Sequence, residues 1–119
     1  MSTRGCKVLI VDDDADTRDA LAEALGDAGF LVEQVPSGAK ALEWIDRNGE
    51  PDVILLDLRM PDMDGAQFLE RTRGSSARVL VLTGDASARM VRFARDAKLL
   101  SKPIDLQQLE AAVKEACAA

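Results

Sequence analysis

The chain has 119 residues, with 21 acidic against 15 basic side chains, no histidine and a formal charge of -6. That length supports one domain (1–119) with a real core and leaves no room for a separate substrate domain. The negative balance argues against nucleic acid or an anionic membrane as a partner, and no apolar stretch reaches the ~20 residues that a membrane helix needs. Met1 to Lys7 is too short and polar for a signal peptide, so a soluble cytoplasmic protein is expected. The two cysteines, Cys6 and Cys117, show no metal-ligand spacing and read as inert thiols of a reducing compartment.

The first strand is expected at Lys7 to Val11, an apolar run stopped by Asp12, Asp13 and Asp14. Leu21 and Leu25, with Ala20, Ala24 and Ala28, form a helical stripe that Gly29 ends. Phe30 to Val35 reads as a short second strand, after which Pro36-Ser37-Gly38 opens a helix carrying Ala41, Leu42 and Ile45, closed by Asn48-Gly49. Trp44 on that helix reads as packing. Val53 to Leu56 is a buried strand stopped by Asp57, and Asp64 with Gln67 caps a third helix bearing Phe68 and Leu69. Val79 to Leu82 is a fourth strand ending at Thr83, with Met90, Phe93, Ala94 and Ala97 marking the helix after it. Leu99 and Leu100 supply a fifth strand. Lys102-Pro103 then breaks the chain before a last helix, capped by Asp105 with Gln108 and turning Leu106, Leu109 and Val113 inward. Strands alternating with helices in this way predict βαβ units with right-handed crossovers: an α/β domain with a parallel five-stranded sheet and helices on both faces.

Ligands of such sheets bind at the carboxyl ends of the strands, and four of those ends carry polar groups: Asp12 and Asp13, Asp57, Thr83 and Lys102. Carboxylates gathered there repel one another unless a hard cation or a basic residue neutralises them. Together the residues supply what phosphoryl transfer requires. Asp57 is a carboxylate nucleophile, Asp12 and Asp13 a pair suited to metal, Thr83 a hydroxyl donor, and Lys102 an ammonium for charge on phosphoryl oxygens. Mg²⁺ keeps several waters and takes one or two carboxylates, which fits Asp13 and Asp57 as direct ligands with Asp12 acting through water. The blander reading, that Asp12 to Asp14 only cap the first helix, accounts for one acid and leaves the others as uncompensated like charges. A calcium loop on Asp12, Asp14, Asp16 and Glu23 fails at Thr17, where the sharp turn needs glycine, and at the strand where a helix should precede it.

The stretches VLIVDDD (8–14), DVILLDLRMPDMDG (52–65), VLVLTG (79–84) and LLSKP (99–103) resemble the receiver domain of two-component response regulators over nearly the whole chain. The resemblance implies a flavodoxin-like sheet of order 2-1-3-4-5. It implies that Asp57 accepts a phosphoryl group from a sensor histidine kinase or phosphotransfer protein, and that Asp12, Asp13, Asp57 and the main-chain carbonyl of Arg59 hold Mg²⁺. It also implies that Thr83 and Lys102 read the phosphate, that the Lys102-Pro103 bond is cis, and that a downstream protein target reads the changed conformation of Thr83 to Leu100. The chain departs from the pattern at Leu99, the switch position, where many receivers carry Phe or Tyr; leucine repacks but has no hydroxyl. The stretch from Thr83 to Lys102 is also shorter than usual. Arg89, Arg92 and Arg95 with Lys98 read as a solvated helix face, with a docking stripe for an acidic partner as the sharper alternative. Two competing functions share these residues: a phosphohydrolase with an aspartyl-phosphate intermediate, and a receiver fold that binds without being phosphorylated. The first needs a nucleophile after the first strand and a larger pocket; intact Asp12, Asp13, Asp57, Thr83 and Lys102 speak against the second.

Overall fold

The structure, a computed structural model, describes residues 5–58, 70–72, 76–84 and 97–118. Its elements in chain order are β1 (Lys7–Val11), α1 (Ala15–Asp27), β2 (Leu31–Val35), α2 (Gly38–Asn48), β3 (Val53–Leu58), β4 (Arg78–Thr83), β5 (Lys98–Ser101) and α3 (Leu106–Ala118). The helices expected between β3 and β4 and between β4 and β5 fall largely outside the described residues. So do Arg59, the Asp64 and Gln67 cap, and Arg89, Arg92 and Arg95.

The strands pair in parallel in the order β2-β1-β3-β4-β5. Side chains alternate across a strand, and each run of branched residues therefore feeds two cores. Val8 and Ile10, Val53 and Leu55, and Leu80 and Leu82 face α1 and α3, joining Leu21, Leu25, Leu109, Ala112 and Val113. Leu9 and Val11, Ile54 and Leu56, and Val81 face the other way, toward Ala41 of α2, with Leu42, Trp44 and Ile45 packed at the margin. Helices thus cover both faces. Trp44 is half-buried, as a packing residue should be.

Helix ends follow local chemistry. Asp14 caps α1 by accepting from the Thr17 amide at 3.3 Å, Ser37 caps α2 by accepting from the Lys40 amide at 3.1 Å, and Gly49 ends α2 at φ 86°, a left-handed conformation that favours glycine. Asp105 and Gln108 form a reciprocal capping box at α3: the Gln108 amide donates to Asp105 Oδ1 at 2.7 Å and the Asp105 amide to Gln108 Oε1 at 3.3 Å.

Three expectations are corrected. β3 runs on through Asp57 to Leu58, so Asp57 lies inside the hydrogen-bonded ladder opposite Leu82. Local pattern shows only the change of polarity at this acid, whereas pairing with β4 carries the ladder past it. Leu106 points outward and is 55% exposed. It stands at the first turn of α3 and on the margin of the stripe that Leu109, Ala112 and Val113 define. Finally, Cys6 and Cys117 are joined in a disulfide, with Cα atoms 6.2 Å apart, and are not free thiols. Spacing rules see 111 residues of separation. The fold sees neighbours, because α3 returns antiparallel to the strands on the face shared with β1 and ends where β1 begins.

The burial contrast on α3 sets a prediction. Leu109→Ala should cost about 2–5 kcal/mol of unfolding free energy, because it leaves a cavity among fully buried side chains. Leu106→Ala should stay within about 0.5 kcal/mol. Urea denaturation of the two variants checks this, and equal losses would contradict the placement of Leu106.

Candidate functional site

Parallel register brings the strand ends together one by one. Val11 pairs with Leu56, so the next residues, Asp12 and Asp57, leave neighbouring strands side by side and continue the alternation on the α1 and α3 face. Leu58 pairs with Thr83, and Thr83 with Ser101, which places Lys102 just beyond the same edge. The Lys102 amide donates to the Thr83 carbonyl at 2.7 Å, and the Lys102-Pro103 peptide bond is cis.

Lys102 directly follows β5 and Asp57 lies in β3, two strand spacings or roughly 10 Å away. Only a long side chain closes that gap. Lys102 Nζ donates to Asp57 Oδ1 at 2.5 Å, with the Asp57 side chain wholly buried and the lysine side chain 32% exposed. Oδ2 of Asp57 is also buried and has no hydrogen-bond partner among the described residues.

Asp12 is buried and held by several bonds. Its amide donates to the Val35 carbonyl at 3.2 Å, its Oδ1 accepts from the Asp14 amide at 2.9 Å, and its carbonyl accepts from Arg18 Nη1 at 2.8 Å. Asp13 is exposed at the rim, Asp14 is taken up by the cap of α1, and Thr83 is buried at the end of β4. Leu99 is half-buried on the opposite face, against the cluster that contains Val81. Among the described residues, no three acids, thiols or imidazoles stand in a metal-holding group. The site therefore presents two adjacent buried carboxylates, Asp12 and Asp57, opposed by Lys102. A divalent cation suits the buried Asp57 Oδ2, because a hard ion that keeps several waters needs only one or two carboxylates.

Arg18 was not anticipated. Its guanidinium ties the Asp12 carbonyl to Gln34 Oε1 at 3.1 Å, linking α1, the loop after β1 and the end of β2. The signal was available in principle: Arg18 follows the capping Asp14 by one helical turn, on the side that faces the strand ends.

Residues 8–114 match the response regulator receiver domain, and the chain belongs to that family. Sporulation initiation phosphotransferase F of Bacillus subtilis is 32% identical over 92% of this chain and 91% of that protein. Response regulator receiver protein CpdR of Brucella abortus is 35% identical over 87% of this chain and 89% of its own length. The chain spans about half of response regulator MprA of Mycobacterium leprae, matching 49% of that protein at 34% identity over 91% of this chain. Among solved structures, chemotaxis response regulator CheY4 of Vibrio cholerae superposes with a TM-score of 0.81 at 30% identity, over 94% of this chain and 98% of that one. A receiver domain protein of Methanospirillum hungatei reaches 0.85 at 28% identity, over 98% and 95% respectively. The fold is that of these receivers, a flavodoxin-like doubly wound sheet. The family is one of regulatory phosphoacceptor domains in two-component signalling, and its members bind Mg²⁺ at the acidic pocket.

Arg18→Ala should lower the unfolding free energy by about 1 kcal/mol, the net worth of the bonds to Asp12 and Gln34 at a partly exposed position. Arg18→Lys should recover part of it at most, since an ammonium lacks the planar fork that reaches both acceptors. Urea denaturation of both variants measures the difference.

Proposed function

We propose that this chain is a phosphoacceptor switch in which Asp57 takes a phosphoryl group from a sensor histidine kinase or phosphotransfer protein and passes the change to a downstream protein. The observation that carries the reading is the Asp57 carboxylate itself: one oxygen on Lys102 and the other buried beside Asp12 without a hydrogen-bond partner among the described residues. The likeness to a sporulation phosphotransferase and to a chemotaxis response regulator supports the same chemistry.

A carboxylate oxygen of Asp57 attacks the phosphorus of a phosphohistidine, the P–N bond breaks, and the imidazole leaves with its electron pair and takes a proton from solvent. The product is an acyl phosphate, which water hydrolyses to restore Asp57. Little covalent work falls to the protein, so positioning and charge neutralisation dominate. Lys102 begins on the carboxylate and moves with the charge to the phosphoryl oxygens. The Thr83 hydroxyl, at the end of the strand beside Asp57, is the donor for a second phosphoryl oxygen. Asp57, with Asp12, Asp13 and the carbonyl of Arg59, would hold Mg²⁺, which when bound would supply the remaining positive charge. Arg59 and residues 85–96 lie outside the described residues. Drawing Thr83 toward the phosphate pulls on β4, and Leu99, one strand over and opposite Val81, repacks where other receivers carry an aromatic ring.

Acetyl phosphate with Mg²⁺ should label the protein on Asp57, and Asp57→Asn should remain unlabelled. Lys102→Ala should slow labelling by about 10²-fold, the usual effect of removing one charge-stabilising donor. Mass spectrometry locates the phosphate, and its recovery on another residue would overturn the assignment. Metal binding is tested separately by calorimetry: Asp13→Ala should abolish Mg²⁺ binding, and unchanged binding would remove Asp13 from the set.

A further inference from the structure

We propose that Cys6 and Cys117 form a reversible thiol–disulfide exchange site for low-molecular-weight disulfides and thiols, whose oxidation state decides whether the last turn of α3 is locked to the sheet. The proposal asks nothing of Asp57. Cys6 precedes β1 at the amino edge of the sheet, about 20 Å of strand away from Asp12 at the other edge.

The covalent bond is the strongest hold on the end of α3. Leu109, Ala112 and Val113 bury the first two turns, whereas beyond Val113 the inward residues are only Ala116 and Cys117, both partly buried and small. The last turn carries no basic residue to offset its carbonyl dipoles. Its polar anchor is a surface pair, Lys98 with Glu115 at 3.6 Å, with side chains 51% and 77% exposed, which holds weakly in water. An end held by such contacts frays once the disulfide opens.

Opening the bond has a local effect by construction. Cys6 sits in the core with Val8, Leu25 and Phe30, and Cys117 packs at its margin, so both thiols remain as small apolar side chains in the reduced state. Cys6 is 8% exposed and Cys117, only partly buried, is the more accessible of the two. Exchange therefore runs through Cys117. On oxidation, the Cys117 thiolate attacks one sulfur of the external disulfide and displaces a thiolate. The Cys6 thiolate then attacks the Cys117 sulfur and displaces the second. Two protein thiols lose two electrons and two protons, and the external disulfide gains them as two thiols. The moving part borders a groove of about 440 Å³ between β5 and α3, lined by Lys98, Leu100, Ile104, Gln108, Ala111 and Glu115 among others. Release of the last turn takes Glu115 from that groove's wall and breaks its pair with Lys98.

The test uses the full chain equilibrated with oxidised and reduced glutathione in varied ratio. Intact mass and thiol titration should show the loss of two hydrogens and of both free thiols as the buffer becomes oxidising, and their return on reversal. Amide hydrogen exchange should then show the amides of Glu115 to Ala118 exchanging about 10-fold or more faster in the reduced form, with β1 and β3 unchanged. Cys117→Ser should exchange at the faster rate in both buffers. The same comparison on the unaltered protein stands should that variant fail to fold. A chain that stays in one state across the whole glutathione range, equal exchange in the two states, or reduction that accelerates exchange throughout the sheet would each overturn the proposal.

Discussion

Parallel pairing is the constraint on which this molecule depends. Every strand must run the same way, so all of them deliver their carboxyl ends to one edge, and the register β1–β3, β3–β4, β4–β5 aligns those ends to within a residue. Asp12, Asp57, Thr83 and Lys102 come from positions 90 residues apart in the chain, yet the ladder hydrogen bonds place them in order along a single rim. A slip of one residue in any pair would turn an acid to the opposite face and put a core leucine in its place. The two apolar clusters forbid such slips, since each strand feeds both of them in strict alternation.

That rim concentrates negative charge where water is scarce. Asp12 and Asp57 are buried on adjacent strand ends, and burial without compensation is costly for a carboxylate. The Asp14 amide donates to the Asp12 carboxylate and Arg18 to the Asp12 main-chain carbonyl, while Lys102 reaches across β4 to Asp57. One ammonium does not balance two acids with a third at the rim. Residual negative charge of this kind favours a hard cation close by. Lys102 is partly exposed and reaches the buried Asp57 on a flexible stem that ends in a single ammonium.

The opposite edge of the sheet is stabilised in another way. Helix α3 enters from the site, beginning at the Asp105 and Gln108 cap just beyond Lys102 and Pro103, and ends at Cys117 against the start of β1. Like α1, it runs from the carboxyl edge of the sheet to the amino edge. Its first turns are docked by large buried side chains and its last turn by the disulfide. Glu115 and Lys98 join this helix to the edge strand β5, which also carries Leu99.

Periodicity and polarity alone determined the strands, α1, α2 and α3, the Asp105 and Gln108 cap of α3, and the identity of the four strand-end residues. These depend on local preferences: alternating burial, capping oxygens, and breaks at Gly and Pro. Trp44 as packing was legible for the same reason. Tertiary structure alone decided that β3 continues through Asp57, because only the neighbouring β4 supplies the hydrogen bonds that extend it. It decided that Leu106 faces water, because the rim of the helix stripe is set by where the sheet stops. It recruited Arg18 to Asp12 and Gln34 across three elements. Most of all it paired Cys6 with Cys117, a contact that no spacing rule reaches, since proximity between the two ends of the chain is created by the path of five strands and the antiparallel return of the last helix.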